Sequence, residues 1–377
     1  MTATAPLLPP ATLGMLGGGQ LGRFALMAAR SMGYGTVVLD PDPRAPAGVI
    51  SDEHLVAGYD DERALRRLAV ACDVVTVEFE NPPARSLEYL GDHVRVAPST
   101  HAVAVTQDRR GEKQFLAEQG FPVAPYEVID DDHPPPEVRA SSLLKAARLG
   151  YDGRGQRRVA STAELHAAWS DLGAVPCVLE TALALEGELS VLVARTADAR
   201  VATFPVAENV HVDGILDRTV VPARVLDRSA DRAVGLGMAI ADALGYVGVL
   251  AVELFVVDGD LIVNELAPRP HNSGHWTIDA ARTSQFEQQV RAVCGLGLGD
   301  TRLTVPAVAM VNLLGDLWAG GEPDWAPVLE HPDAKLHLYG KVVPRPGRKM
   351  GHLTVLGDDQ DAAELVARRL RRDLQPG

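Results

Sequence analysis

Apolar positions along the chain follow two different regimes. Near the N-terminus, Thr12 to Leu16, Thr36 to Asp40, Asp73 to Phe79 and Val94 to Ala97 are short apolar runs that read as buried strands. A helical pattern to about Met32, stopped by Gly33, separates the first two. Strand–helix–strand alternation of this kind predicts a parallel sheet flanked by helices. Farther on, Leu143 to Ala147, Cys177 to Thr181, Glu188 to Val193 and Val201 to Val206 have turn signals between them and read as antiparallel strands. Leu336 to Lys341 is a further strand. Ser99 and Asp108 stand as helix caps, and Ser161-x-x-Glu164 is a capping box for a helix to about Leu172. A helix capped by Ser229 runs to about Leu244, another covers Thr283 to Cys294, and Asp361 to about Asp373 reads as a basic amphipathic surface helix. The regimes divide the chain into an N-terminal domain (1–105), a small middle domain (106–185) and a C-terminal domain (186–377).

The densest chemistry lies in one hairpin. Val249 to Val257 is an apolar strand interrupted by Glu253, Asp258-Gly259-Asp260 is a turn signal, and Leu261 to Leu266 returns. The return strand runs into Asn264-Glu265-Leu266-Ala267-Pro268-Arg269-Pro270-His271-Asn272-Ser273-Gly274-His275, where two prolines forbid helix. Two registers are open. A two-residue Asp-Gly turn pairs Glu253 with Asn264 and sends Glu265 to the other face. A three-residue loop sets Glu253 opposite Glu265 on one face. Paired carboxylates in an apolar strand require a cation, and an all-oxygen set beside Asn264 suits Mg2+ held through nucleotide phosphates.

Composition narrows the partners. Hydrophobic residues make up 46% and charged residues 23% of 377, an ordinary globular balance with ample core. A net charge of -14 argues against nucleic-acid binding, while local Arg and Lys remain available for a small anion. Cys72, Cys177 and Cys294 lack metal or redox spacing and read as small buried residues in a reducing cytoplasm. Residues 1–10 have no basic region followed by an apolar stretch, so no signal peptide is expected. No apolar run approaches the roughly 18 residues of a membrane span.

Gly17-Gly18-Gly19-Gln20-Leu21-Gly22, between a strand and a helix, is an anion-site pattern. It formally matches the dinucleotide fingerprint, with Asp40 ending the next strand where a ribose-binding acid would sit. This supports an NAD oxidoreductase as one alternative. Glu78 and Glu80 end a strand at the carboxyl edge of the same sheet, where open α/β sheets bind ligands. Arg109, Arg110 and Lys113 share a helix, for which a solvated face is the ordinary expectation. Lys145 is an uncommon charge inside an apolar strand, and a phosphate would explain it. Gly150-Tyr151-Asp152-Gly153-Arg154-Gly155-Gln156 reads as a mobile flap whose N–H groups cover phosphates. Glu180 and Glu188 are candidates for adenine and ribose. Arg345-Pro346-Gly347-Arg348-Lys349 is a stiff cationic turn in an acidic chain and favours an anion.

Taken together, these segments resemble the ATP-grasp superfamily and, within it, the N5-carboxyaminoimidazole ribonucleotide synthases. The resemblance rests on 17–23, Thr106-Gln107-Asp108-Arg109, 151–156, 208–216, 264–275 and 345–352. It implies an α/β and α+β fold: a Rossmann-like N-terminal domain, a small lid domain and a larger antiparallel C-terminal domain. It implies ATP, Mg2+, bicarbonate and 5-aminoimidazole ribonucleotide as reactants, in a cytoplasmic homodimer of purine biosynthesis. Residue by residue, it implies ATP contacts at Arg109, Lys145, Gly150 to Gln156, Glu180, Glu188, His211, Asn264 and Glu265, with Glu253 and Glu265 on the metal. Gly19, Gln20, Leu21 and Glu78 would meet the ribonucleotide, and Lys341 and Arg348 its phosphate. Tyr151, Arg269, His271 and Asn272 would line the carboxylation site, Arg269 on bicarbonate or carboxyphosphate and His271 moving a proton. The sequence departs from the family at Leu149, which replaces the first of two glycines before the flap tyrosine. The nearest alternative is a formate-dependent glycinamide ribonucleotide transformylase.

Overall fold

A computed structural model describes residues 5–150 and 153–374. Three sheets organise them. The first is parallel: β1 (Thr12–Leu16), β2 (Gly35–Leu39), β3 (Glu53–Leu55), β4 (Val74–Val77) and β5 (Arg95–Val96) take the order β3-β2-β1-β4-β5. Helices α1 (Gln20–Ser31), α2 (Glu62–Ala71) and α3 (Ala84–Gly91) connect its strands. The order reverses beside β1, so the loops after β1 and β4 meet at the carboxyl edge. Two capped helices lead out of this sheet. In α4 (Thr100–Thr106) Ser99 accepts the Ala102 N–H, and in α5 (Arg109–Glu118) Asp108 accepts the Arg110 N–H.

The second sheet is small and antiparallel. It holds β6 (Tyr126–Ile129), β7 (Ser142–Ala146), β8 (Gln156–Val159) and β9 (Cys177–Thr181) in the order β6-β9-β7-β8, with α6 (Thr162–Asp171) packed on it. The third contains β10 (Gly187–Arg195), β11 (Val201–Thr203), β12 (Ala207–Val212), β13 (Ile215–Val221), β14 (Gly248–Val257), β15 (Asp260–Ala267), β16 (Ala307–Leu314), β17 (Ala334–Leu338) and β18 (Lys349–Gly357). Its order is β15-β14-β10-β12-β13-β16-β18-β17, with β11 paired to β10, so β15 is an edge strand. Helices α7 (Asp227–Ala243), α8 (Thr277–Ala280), α9 (Gln285–Val293), α10 (Ala326–Leu329) and α11 (Gln360–Asp373) complete it.

Two helix expectations change. Ser229 lies inside the first turn of α7, because the Leu226 carbonyl already accepts the Ser229 N–H and starts the helix earlier. Helix α11 is not a surface helix alone. Ala363, Ala367 and Leu370 are buried against β16 and β18, and Arg371 donates to Asp217 at 2.6 Å. The parallel sheet is joined to the third by a buried core in which Phe24 of α1 meets Phe286 of α9 at 5.2 Å between ring centres. Gln289, 1% exposed, donates to Thr76 Oγ1 on β4 at 2.9 Å and accepts from the Val249 N–H on β14 at 2.6 Å. One amide thereby fixes the parallel sheet relative to the hairpin strand that carries Glu253. All three cysteines are buried and free.

Candidate functional site

The β14–β15 hairpin resolves the register question by a route that neither expectation contained. Val257 pairs with Asp260, so the loop is the two-residue Asp258-Gly259 turn, with φ of 50° and 76°. Left alone, that turn would put Glu253 opposite Asn264. Instead, Leu254 faces Val263 while Glu253 faces Glu265, which makes Asn264 the extra residue of a β-bulge. A bulge turns two successive side chains toward one partner, and Asn264 and Glu265 together meet the Glu253 side of the sheet. The Asn264 amide lies 3.5 Å from Glu253 Oε2 and its oxygen 3.4 Å from Lys145 Nζ.

Cations from the middle of the chain converge on this strand. Arg109 Nη1 donates to Glu265 Oε2 at 2.7 Å across 156 residues of sequence. Lys145, 4% exposed on β7, donates to Glu180 Oε2 on the neighbouring β9 at 2.9 Å. Burial pushes the Glu180 carboxyl up, but Lys145 and Lys113 together outweigh it and hold it below its ordinary range. On the other side of β14, His211 Nδ1 lies 2.6 Å from Glu188 Oε2, and His271 Nε2 lies 3.1 Å from Glu253 Oε1. Burial opposes ionisation of Glu253; the hydrogen bond and charge of His271 reverse that and bring it to about 2.

Past β15, the two prolines carry the chain along the sheet edge to a fixed imidazole. The backbone of His271 is bracketed by the fully buried Gln285, which accepts its N–H at 2.8 Å and donates to its carbonyl at 2.7 Å. The ring rests on Ser273 Oγ at 2.9 Å, which Ser190 Oγ meets at 2.8 Å. Asn272 is 5% exposed, and its amide exchanges hydrogen bonds with Asn312 at 3.0 and 2.6 Å. Its amide is thus engaged by β16. Arg269 forms an ion pair with Glu80, and burial lowers its pKa to about 10.

The glycine-rich turn behaves differently. Glu78, at the end of β4, accepts the Gly19 N–H at 2.6 Å and the Gly22 N–H at 2.9 Å. Asp40 accepts the Gly18 N–H at 2.7 Å and the Tyr59 hydroxyl at 2.7 Å. A Cβ on Gly19 would stand 2.5 Å from Glu78 Oε1. The helix N-terminus that would cradle a pyrophosphate is filled by the chain's own carboxylates, which removes the basis for the NAD alternative. Gln20 instead reaches the C-terminal turn, where its side-chain oxygen accepts from Lys341 Nζ; that ammonium also donates to the Lys349 carbonyl at 2.7 Å. Arg348 Nη1 donates to the Val343 carbonyl at 2.9 Å, and Gly315 N–H donates to the Arg348 carbonyl at 2.8 Å. The cationic turn is thus pinned beside the start of α1.

Tyr151 and Asp152 lie outside the described residues. The rest of the flap joins β7 to β8, and a Cβ on Gly153 would come within 2.8 Å of the Asp213 carbonyl in the β12–β13 turn. Leu149 has φ 61°, a left-handed conformation that the glycine usual in the family adopts without strain.

Sequence reasoning missed Lys113, Glu112, Gln285 and Asn312. Lys113 is fully buried, not on a solvated face. Its only signal was adjacency to Arg109. Asp279, His337 and His352 also converge, but the His337 and His352 rings stack 4.5 Å apart at 19°, so their in-plane lone pairs run side by side. Asp279 and Tyr339 already take one nitrogen of each.

Comparison with known proteins agrees with this architecture. Residues 10–107 match a ribonucleotide synthetase preATP-grasp domain, 114–286 an ATP-grasp domain, and 308–365 a phosphoribosylaminoimidazole carboxylase C-terminal domain. N5-carboxyaminoimidazole ribonucleotide synthase of Bacillus subtilis is 42% identical over 97% of this chain and 97% of its own length. The Brucella melitensis synthase is 45% identical over 92% of this chain and 97% of its own. An ADP complex of an N5-carboxyaminoimidazole ribonucleotide synthetase superposes with a TM-score of 0.91 at 41% identity, with full coverage of both chains. The Aspergillus clavatus synthase bound to ADP and 5-aminoimidazole ribonucleotide gives 0.85 at 31% identity, covering 97% and 98%. The chain belongs to the N5-carboxyaminoimidazole ribonucleotide synthase family of ATP-grasp ligases.

Proposed function

We propose that this chain, as a member of that family, uses ATP and bicarbonate to carboxylate the exocyclic amine of 5-aminoimidazole ribonucleotide. The observation that carries the reading is the bulged hairpin. It gathers Glu253, Asn264 and Glu265 beside Arg109 and Lys145, and its own continuation delivers Arg269 and His271.

Bicarbonate oxygen attacks the γ-phosphorus and the bond to the β-phosphate oxygen breaks, giving carboxyphosphate and ADP. The amine nitrogen then attacks the carboxyl carbon, directly or as released CO2, phosphate departs, and the amine loses a proton. Lys145 and Arg109 neutralise the charge on the transferring phosphoryl group. Binding of the nucleotide exchanges their pairs with Glu180 and Glu265 for phosphate contacts. Glu180, Glu188 and His211 hold the adenine and ribose end, with Gly150 to Gln156, including Tyr151, Asp152, Arg154 and Gly155, covering the phosphates.

The donor set fits Mg2+. Glu253 and Glu265 offer hard oxygens, and the depressed pKa of Glu253 keeps it ionised near neutrality. Glu253 and Glu265 would hold the ion, which would supply charge neutralisation to the nucleotide phosphates. Arg269, whose guanidinium fork suits a planar carboxylate, holds bicarbonate or carboxyphosphate, and His271 takes the amine proton, with Tyr151 and Asn272 lining the same site. Gly19, Gln20, Leu21 and Glu78 face the ribonucleotide, whose phosphate lies against Lys341 and Arg348. Homodimerisation and a cytoplasmic site of action rest on the resemblance alone, and sedimentation tests the former. No described helix is long and apolar enough to cross a membrane.

The test is ADP release from ATP, Mg2+ and bicarbonate, with and without 5-aminoimidazole ribonucleotide. The reading requires bicarbonate dependence and strong stimulation by the ribonucleotide. Turnover with formate and glycinamide ribonucleotide instead would overturn it.

A further inference from the structure

The bulge at Asn264 sits on an edge strand, where nothing in the sheet holds its outer backbone. β15 has β14 on one side only. On the open side, Val263 N–H donates to the Pro122 carbonyl at 2.7 Å, and there the strand-like contact ends. Two adjacent side chains of α5 take over. Lys113 Nζ donates to the Asn264 carbonyl at 2.9 Å and approaches the Val263 carbonyl at 3.5 Å. Glu112 Oε2 accepts the Leu266 N–H at 3.0 Å. The Lys113 side-chain nitrogen thus serves the carbonyls before Glu265, and a Glu112 carboxyl oxygen serves the amide after it, with burial pushing the Glu112 carboxyl up to about 8. Both side chains are buried, Lys113 at 0% and Glu112 at 2% exposure. Burying two such groups is costly unless each is well partnered. Lys113 has a second partner in Glu180 Oε1 at 3.5 Å, opposite the oxygen taken by Lys145.

We propose that Glu112 and Lys113 are positioning residues that replace a missing strand neighbour, hold the bulge at Asn264, and so present Asn264 and Glu265 to the metal–nucleotide. Without them β15 relaxes to the register its two-residue turn dictates. That register places Asn264 opposite Glu253 and turns Glu265 away, because a one-residue slip reverses every side chain beyond it. The same helix carries Arg109 one turn earlier, so α5 couples the backbone clamp to the guanidinium that pairs with Glu265. The inference rests on the ATP-grasp reading of the hairpin but not on the identity of the carboxyl acceptor.

The test compares Lys113→Met and Glu112→Met with Glu112→Gln, whose amide oxygen still accepts the Leu266 N–H. Two readouts are taken on the full chain: Mg·ADP binding by calorimetry, and hydrogen exchange of the Leu266 amide without nucleotide or metal. The Met variants are expected to lose about 10–100-fold in Mg·ADP affinity, the scale for removing groups that orient a metal ligand. Leu266 exchange should accelerate in Glu112→Met, and Glu112→Gln should stay near wild type in both readouts. A purely structural role would lower the melting temperature of the Met variants and leave Mg·ADP affinity unchanged, which would overturn the proposal. If Lys113→Met does not fold, the Glu112→Gln and Glu112→Met pair decides. Wild-type protein that binds Mg·ADP but ignores 5-aminoimidazole ribonucleotide would sink the proposed reaction and leave this inference standing.

Discussion

The glycine-rich turn after β1 and the bulged hairpin of β14 and β15 are opposites in how a charged site is completed. Both read as ion sites in sequence, one for an anion and one for a cation. At the turn, the helix N-terminus points its N–H groups at Glu78 and Asp40 of the same chain, so those donors are already taken and no pyrophosphate fits against them. At the hairpin, Glu253 and Glu265 pair with the side chains of His271 and Arg109, and the proposed function has a metal–nucleotide take the place of those partners. Backbone chemistry defines a site's sign. Long-range partners decide whether its backbone donors or its side-chain carboxylates are the groups the protein itself satisfies.

The largest expected effect separates the two directly. Glu265→Gln should lower ADP release by about 10²–10³-fold, the scale of removing one preorganised charged group facing a developing charge. Steady-state assay at saturating ATP checks it. At the turn the corresponding break is structural. Gly19→Ala drives a Cβ into Glu78 and should destabilise the fold by roughly 1–3 kcal/mol through overpacking, read as a fall in urea midpoint at constant m.

The pH dependence sharpens the contrast. Burial works against the Glu253 carboxylate, and its His271 partner overrides that and depresses it from 4.5 to about 2. A depressed carboxylate stabilises the fold above its unfolded value and loses that contribution as pH falls toward the folded one. Stability should therefore decline between about pH 4.5 and 2, and Glu253→Gln should flatten that limb in acid denaturation. The smallest effect is expected at the flap. Leu149→Gly relieves the left-handed strain but loosens the unfolded chain, for a net gain of about 1 kcal/mol or less, measurable as a small rise in melting temperature.

Much of this fold was legible because its signals are local. The capping serines and aspartates, the apolar strands and the Asp-Gly turn each announce themselves within a few residues. The candidate site stood out in the sequence where residue type conflicted with surroundings: Glu253 in an apolar strand, Lys145 in another, an arginine turn in an acidic chain. What escaped was set at long range. Nothing near Lys113 says that its helix docks on an edge strand 150 residues away. Gln285 and Asn312 look like ordinary amides until the fold brings them to His271 and Asn272. The register was undecidable locally, because the turn specified one pairing and the bulge another. Arg109 and Lys113 lie on one helix, yet the usual expectation of a solvated face fails for both once α5 is buried.

The measurement that bears most directly on the comparison is Mg·ADP calorimetry on Glu265→Gln and Glu78→Gln. The account predicts that Glu265→Gln weakens binding at least about tenfold, some 1.4 kcal/mol, while Glu78→Gln leaves it at the wild-type value. Loss of binding in Glu78→Gln with Glu265→Gln unaffected would place the nucleotide at the glycine turn and contradict it.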